Sequence, residues 1–231
     1  LFVAYHYAVV DDHHTMECFV AYFVSSFLDA IDGMAARALG QSSTFGAVLD
    51  MVTDRTATTC LCAILAHLFP QHLVFYTALI TLDIFSHWAQ MYATLLTKTK
   101  SHKDNTNPLL KLYYHRPILF AVCGFNEGFY SFMFLFGRGV YGPKLGMDTP
   151  QIALEWLGGD KELTLVVAAI LVCLPVMAFK VLTNIIQMKS AFDRLNEVDG
   201  EKARAAASNK KAHCGRCCCR YVLVHVFYVA K

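Results

Sequence analysis

The chain is divided into apolar runs long enough to cross a lipid bilayer, and no other feature narrows its folding options as far. Leu73 to Thr97, Pro117 to Gly137 and Leu163 to Met188 each approach or exceed the ~20 residues that span a ~30 Å hydrocarbon core. Met16 to Ala36 and Thr44 to Phe69 have similar length but contain acidic residues. Leu1 to Val10 reads as the second half of a further span ended by Asp11 and Asp12, because ten residues cannot cross alone. The chain is therefore expected to begin inside its first membrane helix. The expected fold is all-α, a polytopic membrane helical bundle of six transmembrane helices with the first incomplete. It occupies residues 1–190, and a cytosolic charged and cysteine-rich tail follows at 191–231. Composition agrees, since 56% of the 231 residues are hydrophobic and 16% charged, against ~25% charged in ordinary globular domains.

Lysine and arginine placement sets the orientation under the positive-inside rule. The connection from Lys98 to Arg116 is basic through Lys98, Lys100, Lys103, Lys111 and Arg116, and the tail beyond Lys189 is basic as well. By contrast, His67 to His72 has no lysine or arginine, and Gly137 to Glu162 has only Arg138, Lys144 and Lys161. The turn after the Asp29 helix, the Lys98 loop and the tail are assigned to the cytosol. Pro175 is expected to kink the last span, and Ala191 to Lys211 reads as a polar helical or disordered exit from the membrane. Nine cysteines form no plausible lumenal pair and are read as reduced thiols. Those at Cys214, Cys217, Cys218 and Cys219 suit S-palmitoylation near the membrane or a weak metal site. A net charge of +2 carries no signature of a nucleic-acid partner, and none is expected.

The chemistry is concentrated in DAIDGMAARALGQSSTFGAVLDMVTD, which runs from Asp29 to Asp54. Asp29, Asp32, Gly33, Ala36 and Arg37 fall at offsets 0, 3, 4, 7 and 8, which is one helical face. Gly46, Asp50 and Asp54 fall at offsets 0, 4 and 8, again one face. A turn around Gln41 and Ser42 makes the two helices antiparallel neighbours whose acidic faces meet, with Gly33, Ala36 and Gly46 expected to permit close approach. Four carboxylates at such range need a counter-charge, and Arg37 alone does not supply it. Hard divalent cations held through oxygen, Mg²⁺ or Mn²⁺, meet the need, and the absence of His and Cys from the set argues against zinc. Two such ions suit phosphoryl transfer. An isolated DxxD on a helix is usually a solvated face, but acids inside apolar helices default to functional sites.

These residues resemble the signature of the CDP-alcohol phosphatidyltransferase family, D-x-x-D-G-x-x-A-R, eight residues, then G-x-x-x-D-x-x-x-D, and Asp29, Asp32, Gly33, Ala36, Arg37, Gly46, Asp50 and Asp54 fill every position. The resemblance implies that Asp29, Asp32 and Asp50 ligate two metal ions, with Asp54 as catalytic base and additional ligand. It implies that Asp29, Gly33, Ala36, Arg37 and Gly46 shape the pocket for the CDP-diacylglycerol headgroup. The segments LDIFSHW, SHK, NPLLKLYYHRP and NEGFY are similar to the eukaryotic phosphatidylinositol synthases within that family. That similarity implies myo-inositol as acceptor, a homodimer in membrane lipid, and residence in the endoplasmic reticulum with the site facing the cytosol.

Candidate acceptor contacts are Asp83, His87, Lys103 and Arg116. Gln90 shares the helical face of Asp83 and His87, at offsets 0, 4 and 7, while Asn126, Glu127, Lys180 and Asn184 interrupt the last two spans. The bland alternative for each is a polar group satisfied by a neighbouring helix, or, for Lys103 and Arg116, a solvated basic loop. Two other functions stand beside the inositol reading. One is transfer to glycerol phosphate, serine or an amino alcohol; the other is a divalent-cation transporter with the aspartates as ion path. The lack of an internal repeat and the match at Gly33, Ala36 and Arg37 weigh against transport.

Overall fold

The computed structural model describes residues 14–97, 108–158 and 161–228, with side chains placed for all of these except Ala30 and 208–228. The half-span expected at Leu1 to Val10 and the loop residues His102 and Lys103 lie outside the described residues. Five long helices dominate: α1 (Thr15–Ala38), α2 (Thr44–Leu68), α3 (Leu73–Thr97), α5 (Arg116–Gly137) and α7 (Leu165–Tyr228). Short helices α4 (Pro108–Tyr113) and α6 (Gln151–Leu157) lie in the connections. The all-α expectation holds. On length and composition α1, α5 and the Leu165–Ala207 part of α7 are apolar enough to cross a membrane. Helices α2 and α3 each have 25 residues, enough to span, but Asp50, Asp54, Arg55, Asp83 and His87 dilute their hydropathy.

Local chemistry sets the helix ends that matter for the site. Gly40, with φ of 67°, sits just past the end of α1, where its N–H donates to the Arg37 carbonyl and that of Gln41 to the Ala36 carbonyl at 2.8 Å. This paired closure satisfies the last carbonyls and needs a left-handed residue, which glycine adopts without a Cβ clash. Ser43 then caps α2, its Oγ accepting from the Gly46 N–H at 2.9 Å, an arrangement that contributes ~1 kcal/mol. At the far end Phe69 and Pro70 turn the chain into α3 through a short 3₁₀ turn.

The core lies in the half of the bundle away from those turns. Leu61, Leu65, Tyr76, Phe129, Met133 and Ile170 are fully buried there, where α2, α3, α5 and α7 converge. Phe23, Phe27, Val74 and Trp88 point outward and are exposed, as lipid-facing residues must be. Residues 41–50 are exposed throughout, so the first turns of α2 border an open cleft.

One feature differs from the sequence expectation. The connection after α5 contains an antiparallel ribbon, β1 (Lys144–Asp148) with β2 (Glu162–Thr164), in which Lys144 faces Thr164 and pairs with Glu162 at 2.9 Å. All five residues of β1 are exposed, so the strand lacks the apolar alternation that would announce it. Helix α7 has 64 residues and includes Pro175 without interruption. It continues through residue 190, the helical one of the two readings of 191–211, a stretch rich in strong helix formers and without proline.

Candidate active site

The Leu39 to Ser43 connection folds α2 back beside α1, and the two acidic faces converge. Carboxylate oxygens of Asp29, Asp32 and Asp50 all lie within 4.8 Å of one another. Asp54 lies one turn farther along α2, on the same helical face as Asp50. Asp32 and Asp50 are exposed, while Asp29 and Asp54 are half-buried, so the cluster opens to solvent on one side and is backed by protein on the other.

The small residues of this face have a different task from the close helix approach expected of them. Few backbone contacts join α1 to α2; the carboxylates occupy the space between. A Cβ at Gly33 would lie 3.3 Å from Nη1 of Arg37, so the missing side chain makes room for the guanidinium to fold back beside the acids. A Cβ at Gly46 would lie 3.1 Å from Oγ of Ser43, so that glycine protects the cap. Ala36 is half-buried on the same side of α1.

A second layer of polar groups holds the cluster from behind. Glu127 on α5 accepts a short hydrogen bond from Tyr22 of α1 and another from Thr58 of α2 at 3.1 Å, and Thr58 also reaches the Asp54 carbonyl at 3.1 Å. Arg55, directly after Asp54, extends to α3: its Nη1 lies 2.9 Å from both Asp83 carboxylate oxygens, and its Nη2 lies 3.3 Å from Oδ2 of Asp54. Asn184 of α7 donates to Asp83 at 3.1 Å, and its own oxygen accepts from Lys180 at 3.0 Å. Lys180 also donates to the Tyr113 hydroxyl at 2.8 Å.

Of the candidate acceptor contacts, Asp83 and His87 sit one turn apart on α3, with Nδ1 of His87 3.5 Å from an Asp83 carboxylate oxygen. Asp83 is occupied by Arg55 and Asn184, and His87 Nδ1 lies 2.8 Å from the Asp83 carbonyl. Arg116 begins α5 and borders a shallow basic groove with Lys111, Tyr114 and His115, while Lys103 lies outside the described residues. Gln90 contacts Arg194 at 2.6 Å. Sequence reasoning passed over Arg55, although an arginine in an apolar helix beside an acid signals a buried partner.

The donor set fits a hard divalent cation. Oxygen ligands around a single Mg²⁺ at ~2.0–2.1 Å lie about 3–4 Å apart, so a spread within 4.8 Å closes around an ion with side-chain rotation alone. An all-oxygen, solvent-open set leaves room for water and for phosphate oxygens.

Fold and site together define an all-α integral membrane protein with a carboxylate cluster between its first two described helices. The CDP-alcohol phosphatidyltransferase family model matches residues 1–136. The chain is 38% identical over 198 residues to the CDP-diacylglycerol–inositol 3-phosphatidyltransferase of Schizosaccharomyces pombe, covering 84% of this chain and 83% of that one. It is 39% identical over 187 residues to CDP-diacylglycerol–inositol 3-phosphatidyltransferase 1 of Arabidopsis thaliana, covering 79% and 78%. Against the Homo sapiens protein of the same name identity is 45% over 119 residues, covering 50% and 56%. No solved structure matches the chain. This chain belongs to the CDP-alcohol phosphatidyltransferase family.

Proposed function

We infer that the chain transfers the phosphatidyl group of CDP-diacylglycerol to myo-inositol, giving phosphatidylinositol and CMP. The observation that carries this reading is the convergence of Asp29, Asp32 and Asp50 within 4.8 Å at an open cleft, in a chain similar over most of its length to inositol 3-phosphatidyltransferases. Asp29, Asp32 and Asp50 would hold two Mg²⁺ or Mn²⁺ ions, with Asp54 able to add a ligand. Bound there, the ions would neutralise the pyrophosphate and the charge that develops on the leaving CMP.

The protein's own groups do the rest. Arg37, folded over Gly33, faces the same anionic headgroup, and the small residues Gly33, Ala36 and Gly46 border the space for cytidine diphosphate. Asp54 takes the proton of an inositol hydroxyl. The oxygen so freed forms a bond to the phosphorus attached to diacylglycerol, the bond from that phosphorus to the CMP oxygen breaks, and CMP departs in a single displacement. Arg116 and Lys103, both in the basic stretch from Lys98 to Arg116, would meet substrates arriving from the cytosol. The setting is the endoplasmic reticulum membrane with the cleft on the cytosolic side, and the assembly a homodimer.

The test is turnover of purified protein with labelled CDP-diacylglycerol and a panel of alcohols. Free myo-inositol is the preferred acceptor, with CMP as nucleotide product. Preference for glycerol phosphate, serine or an amino alcohol contradicts the assignment.

A further inference from the structure

We propose that Asp83 and Arg55 are positioning residues for the base: Asp83 fixes the Arg55 guanidinium, and Arg55 occupies Oδ2 of Asp54 so that Oδ1 faces the reacting hydroxyl. The inference rests on the reading of Asp54 as the base. It also removes Asp83 from the acceptor pocket.

The geometry is specific. An arginine presents several N–H donors in a rigid planar fork, and here one arm reaches Asp83 at 2.9 Å to both oxygens while the other reaches only Oδ2 of Asp54, at 3.3 Å. The side chains of Arg55 and Asp83 are 19% and 13% exposed and that of Asp54 is 45% exposed. The fork is thus anchored in the protein and presents its free arm toward the cleft. A lysine, a point charge, cannot bridge two carboxylates in this way.

Asp83 itself is held from several helices. Its Oδ1 accepts from Asn184 at 3.1 Å, and His87 Nδ1 lies 3.5 Å from that oxygen. Asn184 is in turn fixed by Lys180 at 3.0 Å, and Lys180 by the Tyr113 hydroxyl at 2.8 Å. A carboxylate offers about four lone-pair positions, and Arg55 and Asn184 take most of them. An inositol hydroxyl would have to displace a partner that is itself buried. The relay thereby connects α3, α4 and α7 to the orientation of one carboxylate on α2.

The test is steady-state kinetics on Asp83→Asn, Asp83→Glu, Arg55→Lys, the double variant Arg55→Lys/Asp83→Asn, and Asp54→Asn alone and combined with Asp83→Asn. All are measured on the full chain, with folding checked by circular dichroism and size-exclusion elution. Loss of orientation lowers kcat by about 10- to 100-fold, so Asp83→Asn and Arg55→Lys show that loss with KM for inositol within twofold of wild type. Asp83→Glu recovers part of the rate. The double variant loses little more than either single one, because both break the same connection. If Asp83→Asn does not fold, Arg55→Lys, which keeps both charges, carries the comparison. A tenfold or greater rise in KM for inositol at unchanged kcat makes Asp83 an acceptor ligand and overturns the proposal, as do additive losses in the double variant. The Asp54 reading is judged separately: if Asp54→Asn keeps near wild-type turnover, both ideas fall. If it is slowed by the ~10²–10⁴-fold of a lost base while Asp83→Asn shifts only KM, the relay alone fails. Adding Asp83→Asn to Asp54→Asn costs no further rate if the relay acts through Asp54.

Discussion

Removing one hydroxyl from α1 should loosen the metal-ligating cluster without touching a carboxylate. Helix α1 carries Asp29 and Asp32, yet among its described side chains only Thr15, Cys18 and Tyr22 are buried, so its seat on the bundle is small. Tyr22 donates to Glu127 of α5, and the other Glu127 oxygen takes Thr58 of α2. One carboxylate thereby ties the helix of Asp29 and Asp32 to the helix of Asp50 and Asp54. Tyr22→Phe keeps the ring packed and deletes that donor, at a cost of about 1–3 kcal/mol for a buried polar group losing its partner. Expressed in the docking of α1, that is about a 5- to 150-fold shift in the equilibrium. Because three ligands must converge and the seat of α1 is small, the Mg²⁺ concentration for half-maximal turnover should rise severalfold, with the shift in docking as its upper bound, and most of the maximal rate should be recovered at saturating metal. Metal titrations of turnover for wild type and Tyr22→Phe read this directly. An unchanged half-saturating concentration, within twofold, refutes the argument that the Tyr22–Glu127 contact assembles the cluster.

Orientation is checked by cysteine labelling after replacement of the native thiols. A cysteine at Asp104→Cys, in the basic loop, should react with an impermeant reagent from the cytosolic side. One at Asp148→Cys, on the exposed β1 strand, should react only from the lumen, and reversed accessibility would put the cleft on the face away from cytosolic inositol.

The helices and the acidic cluster were legible because both rest on strong local signals. Spanning length and offsets of 3, 4, 7 and 8 are periodic properties of the chain, and the helix ends at Gly40 and Ser43 use ordinary capping chemistry. What the sequence left hidden depends on pairs far apart. Asp83 looked available to a substrate because its partner, Arg55, lies 28 positions away, on another helix. Glu127 is 105 positions from Tyr22, and no spacing rule joins them. Gly33 and Gly46 were read as helix-packing residues because small side chains usually serve that purpose. Here the neighbours they accommodate are Arg37 and Ser43 of the same local segment.

Two substitutions compared in one metal titration test the division of labour among the four carboxylates between α1 and α2. Asp50→Asn removes a charged ligand from the Asp29, Asp32 and Asp50 cluster, so turnover should fall and recover in part as Mg²⁺ or Mn²⁺ is raised. Asp54→Asn, one turn along the same helix, should lose the ~10²–10⁴-fold typical of a general base and stay lost at any metal concentration. Near wild-type turnover of Asp54→Asn, or its rescue by metal as readily as Asp50→Asn, would contradict base catalysis by Asp54 and return that residue to the ligand set.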